Sequence, residues 1–355
     1  MPSLVKPPLL HAGDKVAIVS LSSGMLGEAA NRHELEAGVR QLRAFGLEPV
    51  FMPNALAGID ELKRCPQKRA ADLKAAFADP SIRGVICAIG GDDGYRLLPF
   101  LMEDAAFCEN VRRAPRLFTG FSDTTVHHLM FRRLGLQTFY GPCFVCDLAE
   151  LSGEMLPYTK AAFTGYFEGC NTRSITPSDT WYEERRAFSA AAVGTPRAAH
   201  PETHGYELLQ GAPVFTGELL GGCLESLCDM LTSARYADER AVCEKYRLFP
   251  SAEEWRGKVM FLETCEEKPS PDILREELLC IKATGAFDAL AGLIVGKPQD
   301  ECYYEEYKNV YREVLGARAL PIVYNVNFGH AYPRAVLPYG APVRVDAAAQ
   351  KIELL

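Results

Sequence analysis

Short apolar runs alternate with amphipathic stretches through the first 150 residues, and this alternation limits the fold more than any other feature of the chain. Lys15-Val16-Ala17-Ile18-Val19-Ser20 reads as a strand, closed by the turn Ser22-Ser23-Gly24. Residues 30–45 carry helical spacing at Leu35, Val39 and Leu42, and Gly46 stands where a helix C-cap belongs. Leu47 to Met52 reads as a second strand, and 66–79 as a helix with Ala70, Leu73, Ala76 and Phe77 on one face. Val85-Ile86-Cys87-Ala88-Ile89 and Arg116 to Thr119 supply a third and a fourth strand. Strands separated by helices predict a parallel sheet with helices on both faces. Ligands of such sheets bind beyond the C-terminal ends of the strands. Gly90-Gly91 and Ser122 both fall there.

The rhythm breaks at residues 166–212, which contain Gly169, Asn171, Pro177, Trp181, Pro196 and Pro201. This stretch reads as a connecting excursion over the surface, of a length at which loops often carry function. A second series of elements follows: Gly217 to Thr232, a strand Val259 to Leu262, a helix over 271–284 and a strand Ala291 to Gly296. Alternation in Val343-Arg344-Val345-Asp346 and Lys351 to Leu355 predicts a closing hairpin. With 355 residues, two domains are expected: 1–165, the excursion 166–212, and 213–355.

A formal net charge of −8 argues against nucleic acid or an anionic membrane as the partner. No run reaches the ~18 apolar residues of a membrane span, and the N-terminus lacks the apolar core of a signal peptide. A cytoplasmic location is expected. The 12 cysteines are scattered, and Cys87, Cys223, Cys228 and Cys280 lie in apolar runs as small core residues. The lone pair Cys143-Phe144-Val145-Cys146 has no second pair to make a zinc ribbon and reads as two core cysteines.

The candidate chemistry begins at Gly120-Phe121-Ser122-Asp123, where an apolar strand meets a helix with Val126, Leu129, Met130 and Leu134 on one face. A serine here is either a helix N-cap or a nucleophile held out above the sheet edge. In the second case the Asp123 N–H and the helix dipole face developing negative charge. The match to the G-x-S-x-G elbow is partial, because Thr124 replaces the second glycine. Of seven histidines, His127 and His128 are too close to Ser122 to serve as its base, whereas His330 follows a strand end and Gly329. A carboxylate to orient it is available at Glu263, which terminates an apolar strand, or at Glu266 or Glu267. Gly90-Gly91 lets backbone approach a ligand closely and frees an N–H for an oxyanion. The same string, Gly90-Gly91-Asp92-Asp93-Gly94, is also close to the phosphate loop of some nucleotide kinases, although no Walker lysine accompanies it.

Five strings, IGGDDGYRLLPFL (89–101), FTGFSDTT (118–125), GELLGGCLESL (217–227), FLETCEEKPSP (261–271) and FGHAYPRAVLPYG (328–340), occur in an order that resembles one serine peptidase family. That family contains the murein LD-carboxypeptidases and the microcin C self-immunity proteins, and the chain looks closer to the second branch. The resemblance implies an N-terminal Rossmann-like domain, a C-terminal β-rich α/β domain and an active site between them. It implies a Ser–Glu–His triad of Ser122, Glu263 and His330, an oxyanion hole of the Gly91 and Asp123 N–H groups, no metal or cofactor, and a homodimer. The substrate class it implies is an aminoacyl or peptidyl nucleotide, or the L,D-peptide bond of a murein tetrapeptide. Gly90, Trp181, Cys223 and Lys268 are candidate substrate contacts, with Trp181 placed to stack on an adenine. Cys223 departs from the asparagine that often follows the paired glycines in this family, and a thiol cannot replace the donors and acceptor of an amide. Two other readings stay open: a nucleotide kinase using the Gly90–Gly94 loop, and a non-catalytic binder of a peptide or nucleotide.

Overall fold

In the computed structural model, which describes residues 4–167, 174–317 and 319–355, the alternation becomes a parallel sheet. Strands β1 (Lys15–Val19), β2 (Glu48–Phe51), β3 (Ile82–Cys87), β4 (Leu117–Gly120) and β5 (Phe139–Tyr140) lie in the order β5-β4-β3-β1-β2, each pair parallel. Val16 to Val19 and Val85 to Cys87 are fully buried. Such strands are apolar on both faces because helices cover both. The helix Arg32–Ala44 ends at the Gly46 reversal, whose φ of +79° suits glycine. Its buried side is rotated from the expected one: Glu34, Ala37, Gly38, Gln41 and Leu42 face inward, and Leu35 and Val39 are only half-buried. The cause is Phe144, whose ring packs so closely on Gly38 that a Cβ there would stand 2.3 Å from it.

The chain divides into two compact units. Among the described residues, the first holds 4–167 and 185–197, and the second 174–184 and 198–355. The 166–212 stretch is therefore not one loop. Its β6 (Ser174–Ile175), β7 (Thr180–Tyr182), β8 (Ala199–Pro201) and β9 (Glu207–Gln210) belong to the second unit, and Arg185–Arg197 belongs to the first. Buried Glu150 anchors the returning segment, accepting from Arg197 Nε at 2.7 Å and from Arg185 Nε at 3.2 Å. Gly169 and Asn171 lie outside the described residues.

The second unit is built on an eight-stranded sheet. Its centre is β10 (Val214–Cys223), β11 (Lys258–Glu263), β12 (Gly292–Gly296) and β13 (Ile322–Val326), parallel and in sequence order. Antiparallel strands flank it: β9 on one side, and Pro342–Asp346, Lys351–Leu354 and β6 on the other. Glu263 ends β11, and Cys223, its register partner, ends β10. The C-terminal ends of the parallel strands thus collect the chemistry of this unit. Cys87, Cys223 and Cys228 are buried as expected, whereas Cys280 and Cys146 are only partly covered. No described helix is long and apolar enough to cross a membrane.

Candidate active site

In the first unit, β4 delivers Ser122 to a strand-to-helix corner with φ of +64°, a left-handed conformation rare for a side chain without an amide or carboxylate. Ser122 opens a 3₁₀ turn that runs into the helix Thr125–Leu134, and neither helical segment has a side-chain N-cap. The capping role therefore does not explain the serine. Its own N–H donates to Tyr140 Oη at 3.1 Å, and its carbonyl accepts from Thr125 Oγ1 at 2.7 Å, which fixes the corner from both sides.

The glycine loop after β3 is shaped around that corner. A Cβ on Gly90 would lie 2.9 Å from Ser122 Cβ and 3.5 Å from Asp123 N, so only glycine leaves the space above the serine clear. Three polar anchors hold the loop. Ser22 Oγ accepts from Asp92 N at 2.9 Å and from Asp93 N at 3.2 Å. Asp123 accepts from Gly94 N at 2.8 Å. Fully buried Arg69 forks onto Asp93 at 2.5 and 3.1 Å and reaches the carbonyls of Leu21 and Ser22. Burial pushes the Asp123 carboxyl up to about 6, partly offset by its hydrogen bonds to Ser22 and Gly94. His127 and His128 are buried in this unit away from any base role: His128 is fixed by Thr138 at 2.7 Å and the Gly120 carbonyl at 3.0 Å.

The second unit holds His330 between carboxylates. Glu263 Oε2 lies 2.7 Å from His330 Nδ1 and also accepts the His330 backbone N–H at 3.1 Å. Both residues are buried. The approach is made possible by Gly329, with φ of +81°, where a Cβ would stand 2.4 Å from the Glu263 carboxyl. Of the three candidate acids, only Glu263 meets Nδ1. Glu266, on the loop after β11, reaches the other ring nitrogen, Nε2, at 3.0 Å, and Glu267 is exposed. Burial alone would push the imidazolium pKa down, but the two carboxylates together outweigh it and raise it. The hydrogen bond from His330 holds Glu266 well below the usual carboxylate range.

The remaining candidates are placed more variously. Cys223 is buried beside this pair, its thiol donating to Glu225 Oε2 at 3.0 Å. Lys268 is already held by Asp300 at 2.5 Å. Trp181 on β7 stacks on His200 of β8, ring centroids 4.2 Å apart, with the Lys297 ammonium 5.2 Å from its centroid. Glu266 at Nε2 and the Arg69–Asp93–Ser22 anchor are additions the sequence did not reveal.

Residues 16–141 match the model of the LD-carboxypeptidase N-terminal domain, and residues 216–345 that of its C-terminal domain. The chain belongs to the LD-carboxypeptidase family. As a member it is a serine peptidase with a mixed α/β fold of two sheet domains. It is similar to a Streptomyces coelicolor protein assigned to the carboxypeptidases, at 30% identity over 98% of this chain and 95% of that one. It is also similar to the microcin C7 self-immunity protein MccF of Escherichia coli, at 23% identity over 97% and 93%. The solved MccF-like protein from Streptococcus pneumoniae, in complex with AMP, superposes with a TM-score of 0.93 at 47% identity, covering 97% of this chain and 99% of that one.

Proposed function

We propose that this peptidase uses Ser122 as nucleophile, His330 as general base and Glu263 as the group that orients the imidazole. The observation that carries the reading is the 2.7 Å contact of Glu263 with His330 Nδ1, which makes Nε2 the nitrogen for the serine proton. Nε2 takes the Ser122 proton as Oγ attacks the amide carbonyl, and returns it to the leaving amine. The Gly91 and Asp123 N–H groups receive the oxyanion, each worth about 3 kcal/mol by comparison with other hydrolases. Water then releases the acyl group by the reverse sequence. Glu266 must leave Nε2 before the serine can use it, so the arrangement with Glu266 in place is a resting one.

For the substrate, we propose an aminoacyl or peptidyl group joined through an amide to a modified nucleotide. Support comes from the AMP bound by the 47%-identical Streptococcus pneumoniae protein. Trp181 is the proposed nucleotide-side contact, an aromatic face for the base. A cytoplasmic homodimer completes the proposal.

The deciding experiment incubates wild type and Ser122→Ala with an aminoacyl sulfamoyl adenosine and, separately, with a murein tetrapeptide, and follows both by mass spectrometry. Serine-dependent release of the amino acid from the adenosine is the expected result. Serine-dependent loss of the terminal D-residue from the tetrapeptide would replace the nucleotide substrate with the L,D-peptide bond. Turnover that survives Ser122→Ala would overturn the nucleophile, and binding of the adenosine without turnover of either compound would favour a non-catalytic member.

A further inference from the structure

Cys223, Glu263 and His330 each present a donor atom to the same small volume, all within 4.8 Å of one another, and all three residues are buried. A thiol, a carboxylate and an imidazole form the mixed S/O/N set that suits zinc and its neighbours among the divalent transition metals. Hard cations such as Mg²⁺ prefer all-oxygen shells and are excluded by the same chemistry. We propose that this cluster is a binding site for a borderline-soft divalent cation, with Zn²⁺ as the representative ligand, and that occupation switches the histidine off.

Two observations support the assignment. The donors come from strand ends rather than mobile side chains: Cys223 and Glu263 are register partners at the ends of parallel β10 and β11, and His330 is fixed by the two bonds of Glu263. Second, an outer carboxylate is in place. Glu225 Oε2 accepts the Cys223 thiol at 3.0 Å, and Glu225 Oε1 accepts the Cys265 N–H at 2.9 Å. A partner of this kind orients a metal ligand and tunes its basicity.

The proton balance is simple. The metal replaces the thiol proton of Cys223 and the proton held on the imidazole ring nitrogen that it takes. Glu225 lies beside the sulfur to receive the first, and solvent takes the second. A coordinated thiol ionises because of the metal's own charge, which overrides the burial that keeps the free thiol protonated. Three protein ligands leave a position for water, as in an open zinc site. With one ring nitrogen on the metal and Glu263 diverted to it, the imidazole no longer accepts the serine proton. Inhibition therefore rests on the role proposed for His330, whereas binding does not.

The test uses the full chain without a histidine tag, and reads binding apart from activity. Equilibrium dialysis with Zn²⁺ should leave about one more metal ion on wild type than on Cys223→Ser, the difference cancelling weak binding by other thiols. Co²⁺ in place of Zn²⁺ should give a thiolate-to-metal charge-transfer band that Cys223→Ser and Cys223→Asn both lack. Hydrolysis by wild type should fall with added Zn²⁺, recover with a chelator and ignore Mg²⁺. Equal zinc on wild type and both variants, or a cobalt spectrum without the thiolate band, would overturn the site. Should one variant fail to fold, the other and the wild-type cobalt spectrum still decide. Binding that depends on Cys223 but leaves turnover untouched would uphold the site and overturn His330 as the base.

Discussion

Ser122 is placed by backbone, through a left-handed φ, a glycine loop and hydrogen bonds to main-chain groups. His330 is placed by charge, with a carboxylate on each ring nitrogen. A nucleophile needs position above all, and main-chain geometry is indifferent to salt and pH. A base needs a tuned proton affinity, which burial and nearby charge supply together. The same distinction says how each half should fail.

The largest effect is expected from removing the nucleophile. Ser122→Ala should lower kcat by roughly 10⁴- to 10⁶-fold, as loss of a triad serine does elsewhere, measured by single-turnover mass spectrometry. Glu263→Gln keeps an acceptor near the His330 N–H and loses the charge. A fall in kcat of about 10⁴-fold with KM little changed is expected; equal kcat would show that charge is unimportant at that half. Arg69→Met probes the loop that Asp93 anchors. It leaves Asp93 buried without its guanidinium partner and should cost about 3–5 kcal/mol in urea unfolding, part of which Arg69→Met combined with Asp93→Asn should restore.

Asp123 is the exception in the backbone-built half, since it titrates. Its folded pKa is raised from 3.8 to about 6, so the fold prefers the protonated form. That contribution is fully present below pH 3.8 and is lost as pH rises through about 6. Asp123→Asn mimics the protonated state while still accepting from Gly94. It should therefore be more stable than wild type at pH 8, by up to about 3 kcal/mol, and equal to it near pH 4. Denaturant titrations at the two pH values check this. The smallest effect is expected at Glu266. Glu266→Gln removes one of the two charges that raise the His330 pKa, so the acid limb of kcat/KM should move to lower pH, with neutral-pH turnover kept or raised. A limb that stays put or moves upward would mean that the Glu266 charge does not act on His330 in the working enzyme.

Much of this was legible in the sequence because strand ends are local. Apolar runs closed by Gly90-Gly91, Ser122 and Glu263 point to their positions without any knowledge of packing. Long-range pairings were not legible. The helix Arg32–Ala44 turns an unexpected face inward because of one aromatic ring about 100 residues later, which no local period encodes. Arg69 lies in the helix predicted over 66–79 and Asp93 in the loop after the third strand, and nothing local couples them; their pairing is tertiary. Glu266 was weighed only as an orienting acid. Which ring nitrogen an acid meets depends on loop geometry after β11, and three nearby glutamates cannot be separated by spacing.

The segment Arg185–Arg197 belongs with the first unit while the strands on either side of it, β7 and β8, pair in the second. The backbone thus departs from the first unit, comes back and departs again. No single cut in the chain yields the two units as intact fragments, so neither could be produced whole by a simple truncation.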